Sequence, residues 1–503
     1  MIVNVAVFAS CLSVFLLAFR QLRAGQHRTS LILILAAGLM LRMFAASDPY
    51  LHPWDERYHA LVARNLIAHP LTPTLIDKPV LPYDPTNWTA NHVWLEKGPV
   101  PLWAISCSLA LFGTTEFALR VPSVLVSLIS VYLTFLIGSA LFGARTGVLA
   151  AFFHSINGLL IELPAGRVSS DHVEAFFVFF IELAVWLSIV YLGRSRRGYL
   201  ALLIGVVTGT AVLCKWSPAF VVFPVWLTGL LWSKERQARQ VLGAFALATT
   251  GCLLVIGPYL LYVHTQFPLE AAWVLRKYLG AFTSTLDQHP APFYFYILKT
   301  GVIFGELIYV PLLLGLHDLV KRRADWKLAL LTVWWLLPML VFSLAETKRP
   351  TFLLISAPAF FVLLSHYWFQ IYGHLQQGRL KARWAVYVLL TLLIALPVRY
   401  TIDRVTPFEN RFRTPGWSAD VKSLKDRLGA GDDVVVFNVE HNIEAMFYSG
   451  LTIYDFVPDE ATIRRVTRSG HRVVINDDGR LGSRISVTAQ VEVVRLSPAV
   501  GRE

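Results

Sequence analysis

The feature that most constrains this chain is a series of apolar stretches of near membrane-spanning length. A spanning helix needs about 20 mainly apolar residues. Hydrophobic residues make up 55% of the 503 residues, charged residues only 16%, and the mean hydropathy is +0.54, too apolar for a soluble protein. The sequence therefore predicts an α-helical polytopic membrane protein with about twelve spans. The predicted spans are residues 2–19, 30–46, 118–142, 146–162, 172–192, 199–214, 217–232, 240–262, 292–316, 328–344, 351–372 and 384–398.

The loops between these spans fall into two sets by charge. The basic set lies near residues 20–28, 145, 194–197, 234–239, 321–327 and 379–383. It holds seventeen Lys and Arg residues and three acids, a net charge of +14 against +12 for the whole chain. Because Lys and Arg gather in cytoplasmic loops, membrane topology explains the basic balance, and no nucleic-acid partner is predicted. The N-terminus, the long loop 47–99 and the C-terminal tail are predicted on the external side.

Three regions follow from this topology. Residues 1–29 form an extra N-terminal span with its basic loop, and residues 30–398 form the membrane domain, whose large external loop is 47–99. The apolar segment 100–112 is short for a span and predicts a helix lying at the interface. Residues 399–503 contain β-branched runs, such as 434–439 and 471–477, separated by a helix-like segment. They predict a small external α/β domain.

Charged and polar residues gather at the predicted external ends of the spans. Carboxylates there can act as general bases toward a hydroxyl or amine, and Lys or Arg can hold a departing phosphate. Taken singly, each residue is more often solvated or directed to a lipid head group, so the joint pattern carries the hypothesis. The set comprises Asp55, Glu56, Arg57, Glu96, Lys97, Arg167, Asp171, Lys215, His289, Lys348 and Arg349.

The order of several motifs adds a resemblance. An apolar helix precedes WDERYHALVARNL, and LEKGPVPLW, FGTTEFALRVPSVLVSLISVYL, AGRVSSDHVEAFF and VLCKWSPAFVVFPVWL follow in turn. Over roughly residues 30–370 the chain resembles the bacterial C-type glycosyltransferases related to protein O-mannosyltransferases and to the aminoarabinose and galacturonic acid transferases of lipid A. One departure is Gly98-Pro99-Val100-Pro101, where the family often has two consecutive prolines after the lysine.

The resemblance implies a role for each candidate residue. Asp55 matches the base or acceptor-orienting carboxylate, and Glu56 and Asp171 complete the catalytic set. Lys97, Arg167, Lys215 and Lys348 match contacts to the donor phosphate. Glu96, Arg57, Tyr58 and His289 are the remaining predicted substrate contacts.

The function predicted on this basis is transfer of a sugar from a polyprenyl-phosphate-linked donor to a lipid A, glycan, glycolipid or protein acceptor. The resemblance implies inversion at the sugar carbon, a bacterial inner membrane and a periplasmic active site. It leaves the sugar and the acceptor open. No cofactor is implied with certainty, although paired external carboxylates could hold a divalent cation through oxygen ligands, so the metal stays open.

Two other classes of protein are compatible with parts of the sequence. A lipid or small-solute transporter would use the external charges as a gate and would need polar residues or broken helices inside the membrane. Only the region of Lys299 and Glu306 indicates this, and the sequence shows no convincing internal repeat. A sensor with an external α/β binding domain would not need charges on six loops.

Overall fold

The computed structural model describes residues 2–193, 197–232, 238–280, 282–286, 289–321, 325–380, 382–406, 415–429, 433–479, 481 and 491–496. Parts of the basic loops, at residues 194–196, 233–237, 322–324 and 381, lie outside the described residues. The described chain is mainly helical, with one small sheet near the C-terminus. The predicted fold class, a helical membrane protein with a small C-terminal α/β region, is thereby confirmed.

The helices follow the apolar segments of the sequence. In chain order they are α1 (Ile2–Arg23), α2 (His27–Ala45), α3 (Asp55–Asn65), α4 (Pro99–Phe112), α5 (Glu116–Phe142), α6 (Ala144–Ile156), α7 (Gly158–Glu162), α8 (His172–Gly193), α9 (Gly198–Lys215), α10 (Val222–Trp232), α11 (Ala238–Gln266), α12 (Pro268–Gly280), α13 (Phe295–Phe304), α14 (Tyr309–Lys321), α15 (Trp326–Leu344), α16 (Ala357–Gln376), α17 (Arg383–Val405), α18 (Gly416–Leu428), α19 (Asn442–Ser449) and α20 (Glu460–Arg468). Short 3-10 turns lie at Leu163–Ala165, Ser217–Val221, Glu306–Ile308 and Pro350–Ser356.

Within the described residues, nine helices are long and apolar enough to cross a membrane. The total is up to eleven if each of two bent helix pairs counts as one span. The predicted segment 217–232 is helical but too short for this group, so the count of twelve stays a prediction. These helices identify the chain as an integral membrane protein.

Two predicted spans are broken rather than continuous. The pair Ala144–Ile156 and Gly158–Ala165 bends by 61°, and the pair Phe295–Phe304 and Glu306–Lys321 bends by 111°. At the first break Asn157 caps α7 through a hydrogen bond from the amide of Leu160, 3.2 Å long. Its own side-chain amide donates to the carbonyl of Ile303 at 2.9 Å. The Asn157 side chain thus satisfies one backbone amide and one backbone carbonyl inside the protein, where a membrane supplies no water.

The chain divides into two compact units. The helical unit comprises Met1–Ala46, Ser123–Ala165 and Ser170–Glu409, and its packing is between pairs of apolar helices such as α8 with α9 and α9 with α11. The mixed unit comprises Ser47–Pro122, Gly166–Ser169 and Asn410–Glu503.

The mixed unit contains a parallel sheet whose strands are β1 (Val434–Phe437), β2 (Thr452–Ile453), β3 (Arg472–Asn476) and β4 (Val491–Val494), in the order β2-β1-β3-β4. Strand β1 is fully buried, as expected for a central strand covered on both faces. Helix α19 joins β1 to β2, and α20 joins β2 to β3.

One hydrophobic core holds the mixed unit together. Its buried side chains come from the segment around α3 and α4, for example Leu61 and Leu102, and from the sheet and its helices, for example Phe437 and Phe447. Helix α3 packs against both α4 and α19. The first long loop and the C-terminal region, which are separated by about 300 residues of chain, therefore fold as one body.

Candidate active site

The first candidate carboxylate, Asp55, is the first residue of α3 in the mixed unit. Its carboxylate lies 3.4 Å from the ammonium of Lys97, and the two side chains are only 17% and 15% exposed. Lys97 lies just before α4, whose first residue is Pro99. Proline suits this position because the first amide groups of a helix have no intrahelical hydrogen-bond acceptor. Two predicted site residues, a base and a phosphate contact, are thus brought together.

Glu56, the neighbour of Asp55, is fully buried. Its two oxygens accept hydrogen bonds from Arg120, from Nε at 2.8 Å and from a terminal guanidinium nitrogen at 3.0 Å. Gly166 has a φ of +74°, and a Cβ there would lie 2.1 Å from the Glu56 carboxylate, so any larger residue would be strained and would displace that carboxylate. These contacts favour a positioning role for Glu56, and its predicted catalytic role stays a prediction.

A second acid and a histidine extend this buried pair. The His52 ring lies 2.6 Å from Glu56 and 3.2 Å from Asp48, one ring nitrogen facing each carboxylate. Arg167 donates two hydrogen bonds to Asp48, at 2.7 and 2.9 Å. The predicted phosphate contact Arg167 is therefore engaged by a carboxylate, and it lies in a non-helical segment.

The network shifts the pKa values of its members. Burial by itself lowers the pKa of His52, but the charge of Glu56 and hydrogen bonds to Asp48 and Glu56 outweigh it, and the pKa is raised above its ordinary value. For Asp48, burial raises the pKa, but the hydrogen bond from His52 and the charge of Arg167 prevail, and the pKa is lowered. Both shifts favour the charged forms, so the network is an ionic one.

This arrangement predicts a pH-dependent stability. Because the pKa of His52 is raised in the folded state, protonated His52 contributes to the stability of the fold. This contribution is fully present below about pH 6.5, the ordinary pKa of histidine. It is lost as the pH rises through the raised pKa. We expect hydrogen-exchange protection of residues 48–58, corrected for intrinsic exchange, to decline over that window and to lose this dependence in His52→Gln. His69→Gln is the control, because His69 is 52% exposed in its pair with Asp77. Identical pH profiles for the native chain and His52→Gln would contradict the prediction.

Three other predicted site residues of the mixed unit lie close to Asp55 in the chain or beside Lys97. Arg57 contacts Glu444 of α19 at 3.3 Å, and its guanidinium lies 5.0 Å from the ring centre of Tyr58. Tyr58 is 6% exposed and belongs to the hydrophobic core. Glu96 is likewise buried. Arg57 thus fastens α3 to the C-terminal region, and substrate contact by Tyr58 or Glu96 stays a prediction.

The helical unit collects a second group. Lys215, at the C-terminus of α9, pairs with Glu174 in the first turn of α8. Its ammonium lies 4.9 Å from the ring centre of Phe352 in the 3-10 turn Pro350–Ser356. Three chain segments therefore meet at Lys215.

The same group continues through the residues just before α8. Asp171 is fully buried. It follows Ser170, which has a φ of +69° and accepts a hydrogen bond from Arg349 at 3.2 Å. The Lys348 amide donates to the carbonyl of His289 at 3.2 Å, and its ammonium donates to the carbonyl of Ala345. The predicted residues Asp171, Lys215, Lys348 and His289 thus lie on segments linked by direct contacts.

Sequence reasoning missed several partners of the predicted residues. Asp48, His52 and Arg120 bind Glu56 or Arg167, and Glu174 binds Lys215. One signal was available for Arg120, an ionisable residue in the first turns of a long apolar helix, where charge is costly. Among the described residues no group of three or more His, Cys, Asp or Glu side chains is arranged to hold a metal ion.

The geometry can be compared with known proteins. Residues 96–262 match the family profile described as dolichyl-phosphate-mannose-protein mannosyltransferase. An undecaprenyl phosphate-alpha-4-amino-4-deoxy-L-arabinose arabinosyl transferase of Pseudomonas aeruginosa is 29% identical over 302 residues, which is 56% of this chain and 52% of that protein. One of Pseudomonas fluorescens is 30% identical over 283 residues, which is 53% of this chain and 48% of that protein. The chain is related to the C-type glycosyltransferases. The match spans about half the length of these curated relatives.

Solved structures extend the comparison with C-type glycosyltransferases to the whole fold. ArnT from Cupriavidus metallidurans bound to undecaprenyl phosphate superimposes with a TM-score of 0.62 at 15% identity, over 89% of this chain and 90% of that one. The archaeal oligosaccharyltransferase AglB from Archaeoglobus fulgidus gives a TM-score of 0.56 at 13% identity, over 85% of this chain and 64% of that one. The chain therefore has the fold of these membrane transferases.

Proposed function

We propose that this chain is a glycosyltransferase that moves a sugar from a polyprenyl-phosphate-linked donor to an acceptor. The acceptor is lipid A, another glycolipid or glycan, or a protein. In this proposal the enzyme lies in a bacterial inner membrane with its active site in the periplasm. The relatives' names support the donor class, and the basic loops support the orientation.

The pair formed by Asp55 and Lys97 is the observation that carries this proposal. A carboxylate within 3.4 Å of an ammonium, both mostly shielded from solvent, is suited to a reaction that takes up a proton and releases a phosphate. A solvated surface pair would be expected to expose both side chains.

The reaction follows from these groups. The acceptor's hydroxyl or amine attacks the sugar carbon on the face opposite the phosphate, and the new bond forms as the bond from that carbon to the phosphate oxygen breaks. Asp55 receives the acceptor's proton. Lys97 stabilises the charge of the departing polyprenyl phosphate, and a single displacement of this kind inverts the sugar carbon. The resemblance separately predicts phosphate contacts for Lys215 and Lys348.

The proposal is tested by reconstituting the full chain in lipid with a panel of polyprenyl-phosphate sugars and an acceptor extract. Release of polyprenyl phosphate, measured for the native chain beside Asp55→Asn, reports turnover. Release that depends on Asp55 would support the transferase and identify the donor. Absence of turnover with every donor, from folded protein, would overturn it.

The phosphate role of Lys97 gives a separate prediction. Lys97→Ala is expected to lower the rate of donor cleavage by about 10²- to 10³-fold, the loss usually seen when one group that stabilises developing charge is removed. The measurement is polyprenyl phosphate release under donor saturation. Lys425→Ala, an exposed position on α18, is the control and is expected to keep the native rate. A native rate in Lys97→Ala would remove Lys97 from the mechanism.

A second candidate function is lipid or small-solute transport, and one observation favours it. The helix pair around Gly305 bends by 111°, and Glu306 beside the bend pairs with Arg399 of α17. Broken helices of this kind occur at the ligand sites of transporters. A transport assay with Glu306→Gln separates the functions, because a transporter would lose flux in this variant and would need no donor cleavage.

A further inference from the structure

A cavity of about 390 Å³ lies inside the mixed unit, away from the residues assigned to catalysis. It is formed by the C-terminal end of α3, the segment 75–78 and the residues from α19 to β2. Its lining is both polar and apolar, and includes Arg64, Asn65, Asp77, Lys78, Met446 and Thr452. The volume is in the range of small-ligand sites, about 300–1,000 Å³.

The charge of this cavity is set mainly by Arg64. Its guanidinium donates to the carbonyl of Met446 at 2.6 Å, a contact that leaves the positive charge unneutralised. Among the described residues no carboxylate lies within ion-pair distance of Arg64, and the nearby acid, Asp77, contacts His69 at 3.0 Å. Burial lowers the pKa of Arg64, which is the cost of holding a cation away from water, and the negative charge of Asp77 offsets only part of this shift. Lys78 adds a second cation to the lining, and these two cations outnumber the single carboxylate of Asp77, so the cavity is suited to an anion.

The Arg64 side chain is held in place before any ligand binds. Gly450, at the end of α19, has a φ of +78°, and a Cβ there would lie 2.5 Å from the Arg64 guanidinium. The backbone of the C-terminal region therefore passes directly against this side chain. A cation held in place by a carbonyl and a close backbone loses little freedom when it binds a ligand.

The surroundings of the cavity are unusually apolar for an exposed surface. Ile67 lines it and is 44% exposed, and Leu71 is 59% exposed. Thr114, also in the lining, follows Leu111 and Phe112, which are 76% and 60% exposed at the end of α4. The Trp103 indole donates to the carbonyl of Pro70 at 2.7 Å and so joins α4 to the segment after α3. In a membrane protein, exposed side chains of this type indicate contact with the interfacial lipid.

We propose that this cavity binds the phosphate-bearing head group of a membrane lipid, with Arg64 and Lys78 contacting the phosphate and the acyl chains lying on the exposed apolar residues. The site is separate from the Asp55 carboxylate. Arg64 is nine residues farther along α3, about 14 Å at 1.5 Å per residue. In this proposal the lipid is a bound partner of the enzyme, and its binding does not depend on which sugar is transferred.

The test is native mass spectrometry of the full chain, purified in a neutral detergent and titrated with phosphatidic acid, phosphatidylcholine or inorganic phosphate. Lys78→Glu reverses a charge at an exposed position, and Ala68→Trp fills the mouth of the cavity without altering Arg64. Lys425→Glu is the matched control, an exposed lysine of the same unit that does not line the cavity. Thermal unfolding of each variant verifies that it is folded.

We expect phosphatidic acid to bind more tightly than phosphatidylcholine. Lys78→Glu is expected to weaken this binding by about tenfold or more, since a charged hydrogen bond contributes at least that factor. Ala68→Trp is expected to weaken it by a similar factor because the indole occupies the space of the head group, and Lys425→Glu is expected to leave it unchanged. Equal binding by all variants would overturn the proposal. Equal affinity for inorganic phosphate and phosphatidic acid would overturn the lipid assignment. Asp55→Asn is expected to retain the lipid, so a failure of the transferase assay does not affect this result.

Discussion

Asp55→Asn is expected to abolish sugar transfer while leaving the fold intact. The change removes the group that accepts the acceptor's proton, and loss of a general base typically lowers a rate by about 10²- to 10⁴-fold. The asparagine is nearly the same size, so it preserves packing at the start of α3 while losing the charge that pairs with Lys97. The measurement is release of polyprenyl phosphate from the identified donor under saturating acceptor.

The control for this prediction is Asp77→Asn, which removes a carboxylate from the same long loop but from a position that contacts His69. It is expected to retain the native rate. Transfer at the native rate in Asp55→Asn would exclude Asp55 as the base, and equal losses in both variants would point to the net charge of the loop instead.

The second large effect is expected from Arg120→Met. This change leaves the fully buried carboxylate of Glu56 without its main partner, and breaking a buried ion pair from one side typically costs about 3–5 kcal/mol. We expect the free energy of opening around α3, measured by hydrogen exchange of residues 48–65, to fall by this amount. Transfer activity is expected to fall with it, because Asp55 adjoins Glu56 at the start of the same helix.

The double variant Glu56→Met with Arg120→Met separates charge from packing. Replacing both partners by apolar residues removes the unpaired charge, so a large part of the lost stability should return. His52 and Asp48 are unchanged in both variants, so the rest of the network is the same in this comparison. A double variant as unstable as Arg120→Met alone would mean that packing, rather than the ion pair, holds Glu56 in place.

Several candidate residues of the site are predicted from the motifs and from the resemblance that they carry. The resemblance predicts Asp55 as a base and Lys97 as a phosphate contact, and the structure places their charged groups 3.4 Å apart, while the roles themselves stay predictions. The sequence also predicts Lys215, Asp171 and Lys348 at the ends of spans, and the structure links the segments that carry them. These residues could be predicted because a charged residue at the end of an apolar stretch can be recognised from the neighbouring sequence alone.

The partners of those residues could not be found in the same way. Arg120 lies 64 residues from Glu56, and Arg167 lies 119 residues from Asp48. Nothing in the spacing of such residues indicates which carboxylate each will meet, since that depends on how α3, α5 and the segment before α8 fold together. The bend at Asn157 is not predicted for a related reason, because apolar composition alone does not distinguish a continuous helix from a broken one.

The sequence by itself determined that the chain is a helical membrane protein, because the length and apolar character of each span are local properties. It also determined the strands of the C-terminal region, whose β-branched runs became β1 and β3. The tertiary structure alone decided that this region shares one hydrophobic core with the loop carrying Asp55, and that Glu56 is buried between Arg120 and His52. Burial and ion pairing between distant residues depend on the whole folded chain, and local patterns do not encode them.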